Sequence, residues 1–282
     1  MGRSIATRRT LAVVAGLLAV VGLGIAHAQG DLSGRWAPVL QEDWPERLPG
    51  PELGDYSGLP LSEAGRAYAD NWSAARFSLP EHQCRSHTSP YITRSPIFMH
   101  ISDEVHPLTK SVERIVIDIN NFEQRRVIHM DGREHPSPNA RHTWQGFSTG
   151  RWEGNMLTVT TTHIKHGYHR RNGVPQSDRT TLTEHFIRHG DLLTHVSVTT
   201  DPVFLTEPLV KSQHFLLNNT LHGQSLWTWP CEVAVEVYEP DGRVPQFFPG
   251  ENPNLNEIEF YRLPPEAFRG GSETLYPGFI ER

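Results

Sequence analysis

Cysteine is scarce: Cys84 and Cys231 are the only two in 282 residues. A thiolate-rich metal site needs more sulfurs at closer spacing and is excluded. In an oxidising compartment two cysteines pair by default into one disulfide. The glycine motifs that cradle nucleotide phosphates, G-x-G-x-x-G and the P-loop, are missing, and nucleotide binding loses its usual support with them. Beyond the N-terminal segment no run of Lys and Arg exceeds two, and the formal charge is −6. Nucleic acid is a poor partner for such a surface. No helical stretch long enough for a crossover separates the β-rich segments, which argues against a parallel α/β sheet. Internal repeats and low-complexity tracts are absent as well.

Residues 1–28 read as a secretion signal. Arg3, Arg8 and Arg9 supply a positive start, Leu11 to Ala26 is an unbroken apolar or glycine run, and Ala26-His27-Ala28 is a small-x-small cleavage site. The run is too short and too rich in small residues to be a comfortable membrane span. The expectation is a periplasmic or secreted protein with no membrane insertion once the signal is removed. Thr7-Arg8-Arg9-Thr10-Leu11 is similar to the bacterial twin-arginine export signal; an ordinary signal with adjacent arginines is the other reading. Cleavage removes three arginines and no acids, moving the formal charge from −6 to −9.

Residues 29–95 are rich in Pro, Gly and turn formers and predict an irregular arm. Its one helix candidate is Leu61–Trp72, with Ser62 as N-cap. Residues 96–240 change to a β pattern. Strands are predicted at Ile97–Ser102, Val112–Ile119, Gln124–Met130, Phe147–Glu153, Met156–Ile164, Arg179–Arg188, Leu192–Thr200, Leu209–Leu217 and Glu232–Tyr238. Val, Ile, Thr and aromatics fill them, and Asp131-Gly132, Gly154-Asn155, Asn172-Gly173 and Gly190-Asp191 mark turns. Short sequential strands of this kind predict an all-β fold, an antiparallel barrel or else a curved sandwich. Residues 241–282 return to Pro/Gly-rich irregular structure, with a short helix expected around Pro264–Phe268 and a path across the barrel surface.

Histidine is in excess, with fifteen left after cleavage, and imidazole suits both metal ligation and proton transfer near neutral pH. Period-2 geometry sorts them. Leu157, Val159, Thr161 and His163 share one strand face, Leu182, Glu184 and Phe186 another, and Leu193, His195, Ser197 and Thr199 a third. Glu184 is therefore an acid among apolar neighbours, and burial without a partner would be costly. Pairing with His163 would make a general acid/base couple; pairing with Arg151, Arg179 or Arg188 would make a structural ion pair. His142, Trp144, Tyr168, Asp178 and His195 are the candidate substrate-binding residues, Asp178 to fix an imidazole or an arginine. Trp152, Phe186, Trp227 and Trp229 add apolar surface near the same region. The expectation is no metal; the alternative is a transition metal on His142, His163 and His185, since the spacing of His163, His166 and His169 suits one helix face poorly.

Trp144-x-Gly146-x-Ser148-x-Gly150-Arg151-Trp152-Glu153-Gly154, followed by Leu157-x-Val159-x-Thr161, resembles a family of exported bacterial proteins of unknown function. So do Gly173-x-Pro175-x-Ser177-Asp178, Thr183-Glu184-His185-Phe186, Asp201-Pro202 leading to Pro208, and the surroundings of both cysteines, covering residues 84 to 280. The resemblance implies an exported β-rich scaffold and no particular chemistry. In organisation the chain also resembles lipocalin-like barrels, whose G-x-W opening is echoed by Gly34-Arg35-Trp36. The leading expectation is an enzyme acting on an apolar or aromatic small molecule in a barrel cavity, by lyase, isomerase or hydrolase chemistry, with His163 and Glu184 moving protons. The alternatives are a non-catalytic binding protein for a hydrophobic metabolite and a histidine-ligated metal enzyme.

Overall fold

The computed structural model describes residues 30–42, 51–94, 98–218, 230–233 and 244–279. The segment read as a signal, Trp227, Trp229 and most of the strand expected at Glu232–Tyr238 lie outside them. Among the described residues the strands are β1 (Gly34–Pro38), β2 (Met99–Val105), β3 (Val112–Ile119), β4 (Gln124–His129), β5 (Phe147–Glu153), β6 (Met156–Thr162), β7 (Gly167–Tyr168), β8 (Pro175–Gln176), β9 (Thr181–His189), β10 (Leu192–Thr200) and β11 (Leu209–Leu217). Nine of them close a barrel in the order β1-β11-β10-β9-β6-β5-β4-β3-β2, and β7 with β8 forms a separate ribbon. The all-β barrel is therefore present, with irregular arms. One of its strands, β1, comes from the segment read as arm.

Directions that alternate around a closed ring of nine strands cannot return to their start, so at least one neighbouring pair must run parallel. That pair is β4–β5, where Ile128 faces Ser148 and His129 faces Thr149. A parallel pair needs a crossover and cannot be joined by a tight hairpin; residues 130–146 supply it. The antiparallel neighbours use short turns. Gly154 and Gly190 take the positive φ that the first position of a two-residue hairpin loop demands, at 65° and 62°.

Burial follows the period-2 reading. Leu182, Glu184 and Phe186 on β9 point inward, as do Leu193, His195, Ser197 and Thr199 on β10. One half of the interior is apolar, built from Trp36, Met99, Ile101, Ile115, Ile117, Ile128, Leu157, Phe186, Leu193 and Phe215. Each of these side chains contributes roughly 1.5–3 kcal/mol by leaving water. Trp36 ties β1 down further, its indole N–H donating to Leu32 O at 2.9 Å and the Arg188 guanidinium lying over its ring at 5.3 Å.

The N-terminal arm packs against the barrel, and the C-terminal arm packs against the N-terminal one. Helix α1 (Glu63–Asp70) starts where expected, with Ser62 Oγ accepting from Gly65 N at 3.1 Å. Two short helices follow, α2 (Pro80–Gln83) and α3 (Ser89–Ile92). The C-terminal arm carries α4 (Glu257–Phe260) and α5 (Glu266–Arg269). Where a path across the barrel was expected, it runs back along the N-terminal arm: Tyr56 N donates to Phe268 O at 2.7 Å and Arg269 pairs with Asp70 at 2.5 Å. The segment between β6 and β9 is a strap held close to the N-terminal arm, with Asn172 Nδ2 donating to Glu52 O at 3.0 Å and Asp55 O at 2.7 Å. Gly173, at φ +89°, sits where a Cβ would fall 2.1 Å from Trp72 Cγ, so no other residue fits there.

Candidate functional site

Beyond the apolar half, the barrel interior turns polar on neighbouring pleats. Arg126 of β4 lies opposite Glu184 of β9, and both are fully buried, at 1 % and 0 % exposure. The guanidinium donates to both carboxylate oxygens, through Nη1 at 2.9 Å and through Nη2. It also donates to Thr161 Oγ1 at 2.8 Å and Ser148 Oγ at 3.3 Å. His195 Nε2 bonds Glu184 Oε1 at 3.0 Å, and its Nδ1 faces Gln213 Nε2 at 3.0 Å, so the imidazole donates to the acid and accepts from the amide. Burial alone would raise the Glu184 pKa, but Arg126 and His195 outweigh it and hold it down at about 2. Glu184 is thus an ionised, bidentate partner of arginine.

This arrangement corrects the expected couple. Glu184 meets His195 and Arg126 where His163 had been expected, and its arginine is none of Arg151, Arg179 and Arg188. Gly146-Phe147-Ser148-Thr149-Gly150 spells G-x-S-x-G, but Ser148 lies on β5, buried against Arg126 and Thr161. That placement lacks the strand-to-helix elbow of a hydrolase nucleophile.

Three other histidines, His135, His142 and His163, hold the crossover. His163 lies just past β6 at φ 56°, with Nε2 donating to Ser137 O at 2.9 Å. His135 bridges Thr162 Oγ1 and Thr149 Oγ1 at 2.7 and 2.9 Å. His142 Nδ1 donates to Ile164 O at 3.1 Å, and its ring meets that of His163 edge-on at 5.2 Å. These imidazoles pin residues 135–142 onto β5 and β6. His185 is elsewhere, bonded to Thr158 Oγ1 at 3.1 Å. Among the described residues no group of three His, Cys, Asp or Glu converges as a metal site, so the trio His142, His163 and His185 is not assembled. Asp178 is exposed on the strap. The acid that fixes that corner is Asp201, which accepts from Ser177 Oγ at 2.6 Å and Ser177 N at 2.7 Å.

A cavity of about 460 Å³ lies at the polar end of the barrel, against α2, α3, the β3–β4 turn and the strap. Trp144 and Tyr168, both expected near a ligand, line it together with Tyr91, His87, Phe122 and Arg171. Helix α3 is the partition between cavity and barrel. Its Ile92 belongs to the barrel core, whereas Tyr91, next in line, faces the cavity and meets the His87 ring edge-on at 4.7 Å. Gln145 fixes the wall, its side chain donating to His87 O at 2.9 Å while its own carbonyl accepts from Ser89 Oγ at 2.7 Å. The disulfide between Cys84 and Cys231 anchors the stretch that carries Gln83, Arg85 and Ser86 into the lining.

Burial and then Arg171 push the His87 pKa down to about 4, so the ring is neutral at pH 7. Burial raises that of Tyr91 to about 12. Phe122 reaches the cavity from a backbone at φ 54°, an unusual conformation for a bulky residue and one that recurs at functional sites. The positive-φ pair Phe122-Glu123 at a hairpin tip gives no sequence signal comparable to Asn-Gly, and His87, Arg85, Arg170 and Arg171 sit in loops whose convergence no periodicity announces. No family model matches the chain, and no curated protein or solved structure matches it either.

Proposed function

We propose that this chain is an exported binding protein for an apolar or aromatic small molecule, held in the cavity at the polar end of the barrel. The observation that carries the reading is the lining: aromatic side chains around about 460 Å³, a size and character common to small-molecule sites. The Cys84–Cys231 disulfide and the N-terminal signal pattern support an oxidising compartment outside the cytoplasm. The catalytic alternative is weaker because the pair expected to move protons, His163 and Glu184, is absent from the described lining, and Glu184 is held in a buried ion pair with Arg126. The dye N-phenyl-1-naphthylamine tests the proposal, since its fluorescence rises on transfer from water to an apolar site. Saturable binding of one dye per chain is expected, with Trp144→Ala and Phe122→Ala each weakening it about tenfold. Absence of a saturable component in the unaltered protein would sink the idea.

A further inference from the structure

We propose that the ligand of the cavity is an uncharged aromatic hydroxyl compound, a phenol or its fused-ring equivalent, which donates its O–H to Thr88; this rests on the binding reading above. Thr88 lines the cavity at 2 % exposure, and its hydroxyl has no hydrogen-bond partner among the described residues. It is the N-cap of α3, a position where a threonine oxygen ordinarily accepts from the first turn, yet its side chain makes no capping bond. A buried hydroxyl without a partner is costly, and a ligand that supplies one recovers that cost.

The neighbouring wall decides which half of a hydrogen bond is missing. Gly167 of β7 pairs with Gln176 of β8, and a Cβ on Gly167 would fall 3.2 Å from Thr88 Oγ1 and 3.4 Å from Gln176 Oε1. The two oxygens thus border one spot. Gln176 is fully buried and is not among the described lining residues. Its amide nitrogen donates to Ser177 O, while its Oε1 has no partner among the described residues. The Thr88 proton therefore has an acceptor behind the wall, and what the hydroxyl lacks on the cavity side is a donor. A ketone or an ether brings none. An ammonium group would, but the described lining holds no Asp or Glu to accompany it. The Trp144 face that would attract such a cation is already engaged by the Arg85 guanidinium at 5.2 Å and Lys165 Nζ at 4.6 Å. A neutral hydroxyl remains, and the Phe122 and His87 rings, 5.7 Å apart, give apolar walls to the ring that carries it.

Equilibrium dialysis against 1-naphthol and 1-methoxynaphthalene decides the matter, because the two share their rings and differ in the proton on oxygen. At neutral pH 1-naphthol is expected to bind the full chain roughly tenfold tighter. In Thr88→Val, which keeps the side chain's shape and loses no capping bond, the ratio of the two affinities should fall toward one. Thr88→Ser keeps the hydroxyl and should keep the preference. Equal affinities in the unaltered protein, a comparison that needs no variant, would overturn the hydroxyl ligand. So would a preference that survives Thr88→Val, since it would then reflect the bulk of the methyl group. If N-phenyl-1-naphthylamine binds and neither naphthalene does, the hydroxyl ligand falls and the binding reading stands. Failure of all three to bind would overturn both.

Discussion

Glu184 shows what one buried carboxylate costs and supplies. Its bond to Arg126 leaves neither charge exposed, and removing one partner of such a pair strands the other. Glu184→Gln is expected to lower stability by about 3–5 kcal/mol, whereas the double change Glu184→Leu with Arg126→Met should recover most of the loss. Urea denaturation of the two variants measures this, and a double variant no better than the single one would contradict it. The same residue contributes to acid sensitivity. Its pKa falls on folding from 4.5 to about 2, so its stabilisation is present above 4.5 and fades as pH drops toward 2. His87 and His169 act earlier: burial lowers them from 6.5 to about 4 and about 3, so the unfolded chain takes up their protons first. Stability should therefore decline in two stages below pH 6.5, and Glu184→Gln should flatten only the lower one. The alternation around Glu184 revealed in the sequence that it faces inward with an arginine or a histidine. Which arginine was beyond reach, because Arg126 arrives from a strand 58 positions away. His163 likewise reads as a strand residue until its backbone turns left-handed. His163→Gly should cost about 1 kcal/mol less than His163→Ala, measured by thermal unfolding, with neither variant altering dye affinity.

At the scale of elements, the β3–β4 turn and the disulfide-bearing wall connect folding to the cavity. Phe122 and Glu123 both hold positive φ, at 54° and 50°. Glycine at 122 relieves that strain and deletes a wall, so Phe122→Gly should keep or raise the melting temperature while weakening dye binding about tenfold. A parallel loss of both would mean that the ring stabilises the turn. The cysteines close a loop across 147 positions. Replacing both by serine is expected to cost up to about 5 kcal/mol on the chain-entropy account, and to reduce dye affinity because Gln83 and Arg85 lose their anchor. Strands were readable where β-branched and aromatic residues run between turn formers: β3, β5, β10 and β11 begin and end at the residues their patterns predict, while β6 and β9 differ by one or two residues at their ends. β1 was not, since its Gly34–Pro38 stretch is short, contains proline and is flanked by turn formers, and only pairing with β2 and β11 makes it a strand.

On the scale of the whole molecule, the all-β class and the inward faces follow from local patterns that each strand carries alone, whereas the cavity is assembled from loops distant in sequence and could not be seen without the fold. The ring consists of two antiparallel blocks, β2–β4 on one hand and β5, β6 and β9–β11 on the other, with β1 joining them on one side. On the other side backbone pairing is confined to Ile128 with Ser148 and His129 with Thr149, while β9 and β10 pair along their whole length. Amide exchange should therefore be fastest, among barrel strands, along β4 and β5, and Arg126→Met should accelerate it there first. The reason is that Arg126 belongs to the first block and every hydrogen-bond partner described for it above (Ser148, Thr161 and Glu184) belongs to the second. A barrel with an odd number of staves leaves one joint poorly glued, and here a buried guanidinium serves as the dowel through it.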